Sequence, residues 1–121
     1  METPKFNFED LKVYQKALDF MDDVYDITET FPKVETYRLT SQYVRAANSI
    51  ALNISEGSGG SDASFNKYVQ IAMDSVRECV TCSTIAFRRN YIDNDINLQF
   101  RIKLAELSKM ITALQKYFKN K

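Results

Sequence analysis

All three glycines of this 121-residue chain fall between Gly57 and Gly60, near its midpoint, and on both sides of them apolar residues recur every three or four positions. One glycine cluster flanked by helical periodicity constrains the fold strongly: it describes helices that reverse direction at a central turn. Glycine accepts the left-handed conformation without steric cost, so the expected turn closes one helix at Glu56 and lets Ser61 or Asp62 cap the next.

The periodicity predicts four helices, over about 9–31, 36–56, 63–90 and 94–119. Pro32 ends the first, because proline disfavours helix in the residue before it. That first helix carries two apolar stripes. Leu11, Tyr14, Leu18, Met21, Tyr25 and Thr28 form one, read as the face seated on the core; Val13, Ala17, Phe20, Val24, Ile27 and Phe31 form the other. Together they cover about half the circumference, whereas a single core face needs a little over 100°. The second stripe is therefore assigned to contacts with another copy.

Leu39, Tyr43, Ala46, Ile50 and Ile54 give the second helix its core stripe, with a polar stripe beside it. The third helix repeats the arrangement: Phe65, Val69, Ala72, Val76, Cys79 or Val80, Ser83 and Phe87 face inward, and Lys67, Tyr68, Ile71, Ser75, Glu78 and Cys82 lie alongside. If the glycine turn folds the two antiparallel, facing residues have numbers summing to about 122. Arg45 then meets Glu78, Glu56 meets Lys67, and Ser49 comes close to Ser75. Gln42, Arg45, Ser49, Asn53, Glu56, Ser75 and Glu78 are thus expected to form a partly desolvated seam of ion pairs and hydrogen bonds, since polar groups beside a core must find partners.

Asp93, Asn94 and Asp95 suit the start of the fourth helix, as short polar side chains do at a helix N-terminus. Ile96, Phe100, Leu104, Leu107, Ile111, Leu114 and Phe118 run unbroken along its core face. Arg101, Lys109, Lys116 and Lys119 form a basic outer band, and Arg88-Arg89 ends the third helix near its start. Between band and core lie Ile102, Met110 and Tyr117, a further apolar flank assigned to oligomer contacts. Four helices with short links and no period-two stretch predict an all-α, antiparallel up-down-up-down four-helix bundle, one domain over 1–121.

The chemistry such a chain can carry is limited. It has no histidine and only two cysteines, Cys79 and Cys82, while a structural zinc takes about four such ligands. The acidic face of the first helix has no loop carbonyls to complete a hard-cation site. Glu56 to Asp62 resembles a phosphate cradle, but no Lys-Ser or Lys-Thr follows the glycines and no strand precedes them. No catalytic residue, metal, cofactor or small-molecule substrate is expected. Without an apolar run near ~20 residues or a signal-like start, the chain reads as cytoplasmic and not membrane-bound.

Formal charge sums to zero, yet it is graded along the chain. Residues 1–35 hold four lysines against nine acidic residues; residues 84–121 hold eight lysines and arginines against three. An asymmetry of this kind has a counterpart, within the fold or outside it.

Phe8-Glu9-Asp10-Leu11, Phe31-Pro32, Glu35 to Leu39, Gln42, Arg45-Ala-Ala-Asn-Ser-Ile50, Asn53-Ile54 and Glu56-Gly57, taken together, resemble the four-helix bundle proteins encoded by intervening sequences of bacterial 23S ribosomal RNA genes. Those proteins look related to the accessory variability protein of diversity-generating retroelements. The resemblance spans nearly the whole chain and is most specific in the second helix and the glycine turn. It implies a ring-like pentamer and, by way of the basic retroelement relative, nucleic-acid binding through a positive surface. This chain departs from that relative in being neutral overall.

The expected function is a non-enzymatic oligomeric scaffold that binds RNA or DNA through Arg88, Arg89, Arg101, Lys109, Lys116 and Lys119. The alternative is a protein-interaction adaptor with no nucleic-acid binding. Titration with nucleic acid at two salt concentrations separates the two.

Overall fold

In the computed structural model, residues 2–120 are described; Met1 and Lys121, the two ends of the expected 1–121 domain, lie outside them. Four α-helices follow one another: α1 (Lys12–Thr28), α2 (Leu39–Gly57), α3 (Asp62–Arg88) and α4 (Asn94–Lys119), with 3-10 turns at Asn7–Asp10 and Lys33–Glu35. Among the described residues there is no strand.

Side-chain bonds between helices fix their directions. Ser75 bonds Ser49, and the Tyr43 hydroxyl bonds that of Ser83, so residue numbers fall along α2 as they rise along α3. Arg101 reaches Thr84 and Gln115 reaches Gln70, which makes α4 antiparallel to α3. Lys16 pairs with Glu106 and Lys103 with Asp23, which does the same for α1 and α4. The result is the expected up-down-up-down bundle.

Its core is layered along the bundle axis. Phe20, Tyr43, Ile50, Ile54, Val69, Leu104, Leu107 and Ile111 are all essentially without solvent contact. Small residues, Ala46, Ala47, Ala72 and Cys79, let α2 and α3 approach closely between these larger ones.

The helix ends differ from the periodicity reading in instructive places. Helix α1 starts at Lys12, because Leu11 is extended and separates it from the preceding 3-10 turn, and it stops at Thr28. The Thr28 hydroxyl donates back to the Val24 carbonyl, a bond that competes with continuing the helix. Helix α2 begins three residues later than expected, at Leu39, where the Glu35 carboxylate accepts the Leu39 N–H. As expected, Ser61 caps α3 through the Ser64 N–H and Asp93 caps α4 through the Ile96 N–H.

The glycine turn works by a different device from the one expected. None of the three glycines has a positive φ. Gly57 is buried instead, and a Cβ there would stand 2.7 Å from the Tyr68 Cβ and 2.8 Å from the Phe65 ring. It is glycine because the end of α2 touches the start of α3. The left-handed conformation occurs at Asn90, φ 62°, where the Tyr91 N–H bonds back to the Ala86 carbonyl and closes α3.

At that same end of the bundle the two long links are tied together. The Phe31 ring packs at a tilt against Tyr91, centroids 5.3 Å apart, and the Tyr91 hydroxyl donates to the Glu35 carboxylate at 2.7 Å.

Candidate functional site

Apart from Thr28, which is buried as expected, the α1 stripes are the reverse of the sequence assignment. Val13, Ala17, Phe20, Val24 and Phe31, read as contacts for another copy, are core residues of this one, and Ile27 packs half-buried against them. They cannot meet a second chain without unfolding the first. The stripe left over is the other one: Leu11, Tyr14, Leu18 and Met21 are half-buried and Tyr25 is 44% exposed. Two apolar stripes do exist, and packing chose the one without tyrosine hydroxyls for the interior, which was the available signal.

The leftover stripe lines a shallow groove of about 270 Å³ between α1 and α2, with Tyr14, Leu18 and Met21 on one wall and Asn48, Ala51, Leu52 and Ser55 on the other. Leu52, on its rim, is 62% exposed. On α4, Ile102 is 58% and Tyr117 56% exposed, while Met110 is half-buried against the core. Asp19, Asp22, Asp26 and Glu29 stand exposed along the outer side of α1 next to the groove.

The polar seam is present in its middle and absent at its ends. Ser75 donates to Ser49 at 2.8 Å, and the Asn53 amide donates to the Ser49 hydroxyl at 2.9 Å. Gln42, Arg45 and Glu56 are exposed, and Glu78 is half-buried. No ion pair joins Arg45 to Glu78 or Glu56 to Lys67 among the described residues, so the expected buried ion pairs are not there. Two things account for this. The true register sums to 124 at Ser49 and Ser75, two residues from the estimate, and long charged side chains keep their heads in water where a path exists. Glu56 takes a hydrogen bond from Tyr68 instead.

All six residues of the expected basic band, Arg88, Arg89, Arg101, Lys109, Lys116 and Lys119, are exposed. None of the ion pairs among the described residues uses them. The anions that α1 supplies to α4 are spent elsewhere, Asp23 on Lys103. The band runs from the α3 end, where Ile85, Arg88 and Arg89 line a surface depression, to the α4 end. There Lys119 shares a second depression, of about 450 Å³, with Asn66, Lys67, Gln70, Ile71 and Gln115. Lys67, which the sequence reading paired with Glu56, thus belongs to the cationic surface. Antiparallel pairing of α3 with α4 through Gln70 and Gln115 would have placed it there.

Between these two ends, a groove of about 440 Å³ separates α3 from α4, lined among others by Val76, Val80, Ile102 and Ala105 with Arg77 and Arg101 at its edge. Arg101 is steadied by donating to the Thr84 hydroxyl at 3.1 Å.

The thiols have no place in any of these surfaces. Cys79 and Cys82 are buried, and burial pushes the Cys82 thiol up to about 11 and the Cys79 thiol higher still, so both are held as thiols at neutral pH. No group of three potential metal ligands occurs among the described residues, and no described helix is long and apolar enough to cross a membrane.

A model of the 23S rRNA-intervening sequence protein family matches residues 9–113, from the 3-10 turn before α1 to well within α4. Among solved structures, a protein of unknown function from the S23 ribosomal protein family of Bacteroides thetaiotaomicron VPI-5482 has the same fold. It superposes with a TM-score of 0.80 over 86% of this chain and 98% of its own, at 22% sequence identity. No curated protein matches the chain.

Proposed function

The chain belongs to the 23S rRNA-intervening sequence protein family, and from that premise we propose that it is a non-enzymatic, homo-oligomeric helical scaffold, pentameric as in the resemblance to the retroelement accessory protein, that binds RNA or DNA through the α3–α4 cations. The observation that carries the reading is the row of exposed cations on α3 and α4 with no carboxylate partner. A cation already matched to a carboxylate gains little from a phosphate, whereas an unmatched one releases counterions from the nucleic acid when it binds. A neutral chain can still present a basic surface, because nine of its sixteen acidic residues lie within residues 1–35, against three within residues 84–121. Repetition of the band around an assembly multiplies the phosphates contacted by one ligand.

The test is titration of a labelled RNA hairpin at two salt concentrations. Each phosphate neutralised contributes a slope of about −0.7 to −0.9 in log affinity against log salt, so several lysines per ligand produce a steep dependence. Lys109→Glu combined with Lys116→Glu, both exposed, should weaken binding at least ~10-fold while leaving the helical signal and the unfolding midpoint unchanged. Absent or salt-indifferent binding by the wild-type chain would contradict the nucleic-acid role and favour an adaptor for proteins.

A further inference from the structure

Two apolar surfaces of this bundle carry opposite charge at their margins. The α1–α2 groove is lined by Leu18, Met21 and Leu52, and exposed Asp22 and Asp26 follow Met21 and Tyr25 directly on the outer side of α1. The α3–α4 groove, with Ile102 and Ala105, is bordered by Arg101. In the helix order α1–α2–α3–α4 these grooves lie on opposite sides of the bundle.

They also stand at the same height. Asp23 and Lys103 are ion-paired within the chain, so Asp22 to Asp26 are level with the Arg101 turn of α4. Asn48 bonds the Tyr25 hydroxyl, which places Leu52, one turn on, level with Met21. The two apolar centres and their flanking charges are therefore matched without any axial shift.

From this we infer that a second copy of the chain occupies the α1–α2 groove, seating its Ile102 and Ala105 against Leu18, Met21 and Leu52 with its Arg101 over Asp22 and Asp26. The inference rests on the homo-oligomer reading above and specifies its contact. Charge decides the geometry. Pairing the α1–α2 face with itself would set Asp22 and Asp26 against their own copies, and pairing the α3–α4 face with itself would oppose arginines. The attractive combination joins unlike faces, so each copy has one free donor and one free acceptor, and the contact propagates until it closes as a ring. On the basic side Asp74 pairs with Arg77, and on the acidic side the one cation of α2, Arg45, is exposed one turn before Asn48. The contact takes Arg101 out of the cationic row and, lying toward the α4 N-terminal half, leaves Lys109, Lys116 and Lys119 of that row outside it.

Unlike faces can be blocked one at a time. Leu52→Asp disables the groove and Ile102→Asp the surface that enters it, and both side chains are more than half exposed, so the folded bundle tolerates either change. Light scattering with size-exclusion chromatography is run on each variant and on their equimolar mixture, with circular dichroism as the check of fold. The expected result is that each variant is monomeric by itself while the mixture forms a dimer and nothing larger, since it contains one intact face of each kind. Variants that keep the wild-type mass, or a mixture that stays monomeric, would overturn the pairing of these faces. A wild-type chain that is itself monomeric would instead overturn the oligomer reading on which the pairing rests. Asp22→Lys with Asp26→Lys provides a second variant of the groove side, expected to rescue with Arg101→Asp and to fail with wild-type Arg101.

Discussion

Helices α2 and α3 meet through small and hydroxyl-bearing residues, while α1 and α4 meet through the Phe20 and Phe100 rings inside and long charged pairs outside, and the contrast explains much of the molecule. At the α2–α3 seam Ala46, Ala47, Ala72 and Gly57 permit close approach, and Tyr43 with Ser83 and Ser49 with Ser75 satisfy the polar groups that burial strips of water. At the α1–α4 seam the cross-helix contacts include Lys16 with Glu106 and Lys103 with Asp23, all at least partly in solvent. Ion pairs of this kind set alignment and contribute little energy. The bundle is thus closed tightly on one side and loosely on the other.

Truncation in the tight seam should have the largest effect. Ile54, fully buried in α2, should lose about 2–5 kcal/mol of stability on change to alanine, read as a lower urea midpoint at unchanged slope. Gly57→Ala comes next. Its Cβ would press on Tyr68 and the Phe65 ring, and overpacking of this sort costs about 1–3 kcal/mol; an unchanged midpoint would mean the α2–α3 turn has slack. Lys103→Ala in the loose seam should cost at most ~1 kcal/mol, a loss that vanishes in molar salt, because both partners keep solvent contact. Arg45→Ala should change stability by no more than ~0.5 kcal/mol, since its side chain is exposed and unpaired with Glu78.

The smallest effect concerns the tie between the two long links. The Tyr91 hydroxyl holds the Glu35 carboxyl below its ordinary range, helped by the Leu39 N–H and the nearby Arg38 and Arg89. A carboxyl whose folded-state value is depressed contributes stability that is fully present above its unfolded value and fades as pH falls through the folded one. Wild-type chain should therefore lose a small increment of stability below about pH 4.5, and Glu35→Gln should lack that increment at neutral pH and show a flatter acid limb.

How far the sequence revealed this contrast depended on whether neighbouring faces differed in character. Along α4, Phe100, Leu104, Leu107 and Ile111 stand opposite Arg101, Lys109 and Lys116, and the periodicity placed them correctly. Along α1, both stripes are apolar, and only tertiary packing selects between Val13-Ala17-Phe20-Val24 and Leu11-Tyr14-Leu18-Met21. The small and branched residues of the first fit a closed interior, and the hydroxyls of Tyr14 and Tyr25 in the second need water or a partner, as Tyr25 finds in Asn48. The polar seam was legible where its residues were short. Ser49, Asn53 and Ser75 cannot escape the interface, whereas Arg45 and Glu56 reach solvent, and a two-residue error in register was enough to pair them wrongly. Gly57 was legible as a turn position but not as a contact, because the close approach is made by Phe65 and Tyr68, which only the folded chain brings near. The cationic surface was found in α4 and at Arg88-Arg89, and missed at Lys67, whose neighbour Lys119 lies half a chain away.

Sedimentation of the wild-type chain at micromolar concentration tests the central claim most directly, namely that the half-exposed Leu11-Tyr14-Leu18-Met21 stripe of α1 is covered by a sister molecule. The account predicts a single closed species at a whole-number multiple of the 14.0 kDa chain mass, five-fold for a pentamer. A species of 14.0 kDa across the whole concentration range, with that stripe left in water, would contradict it.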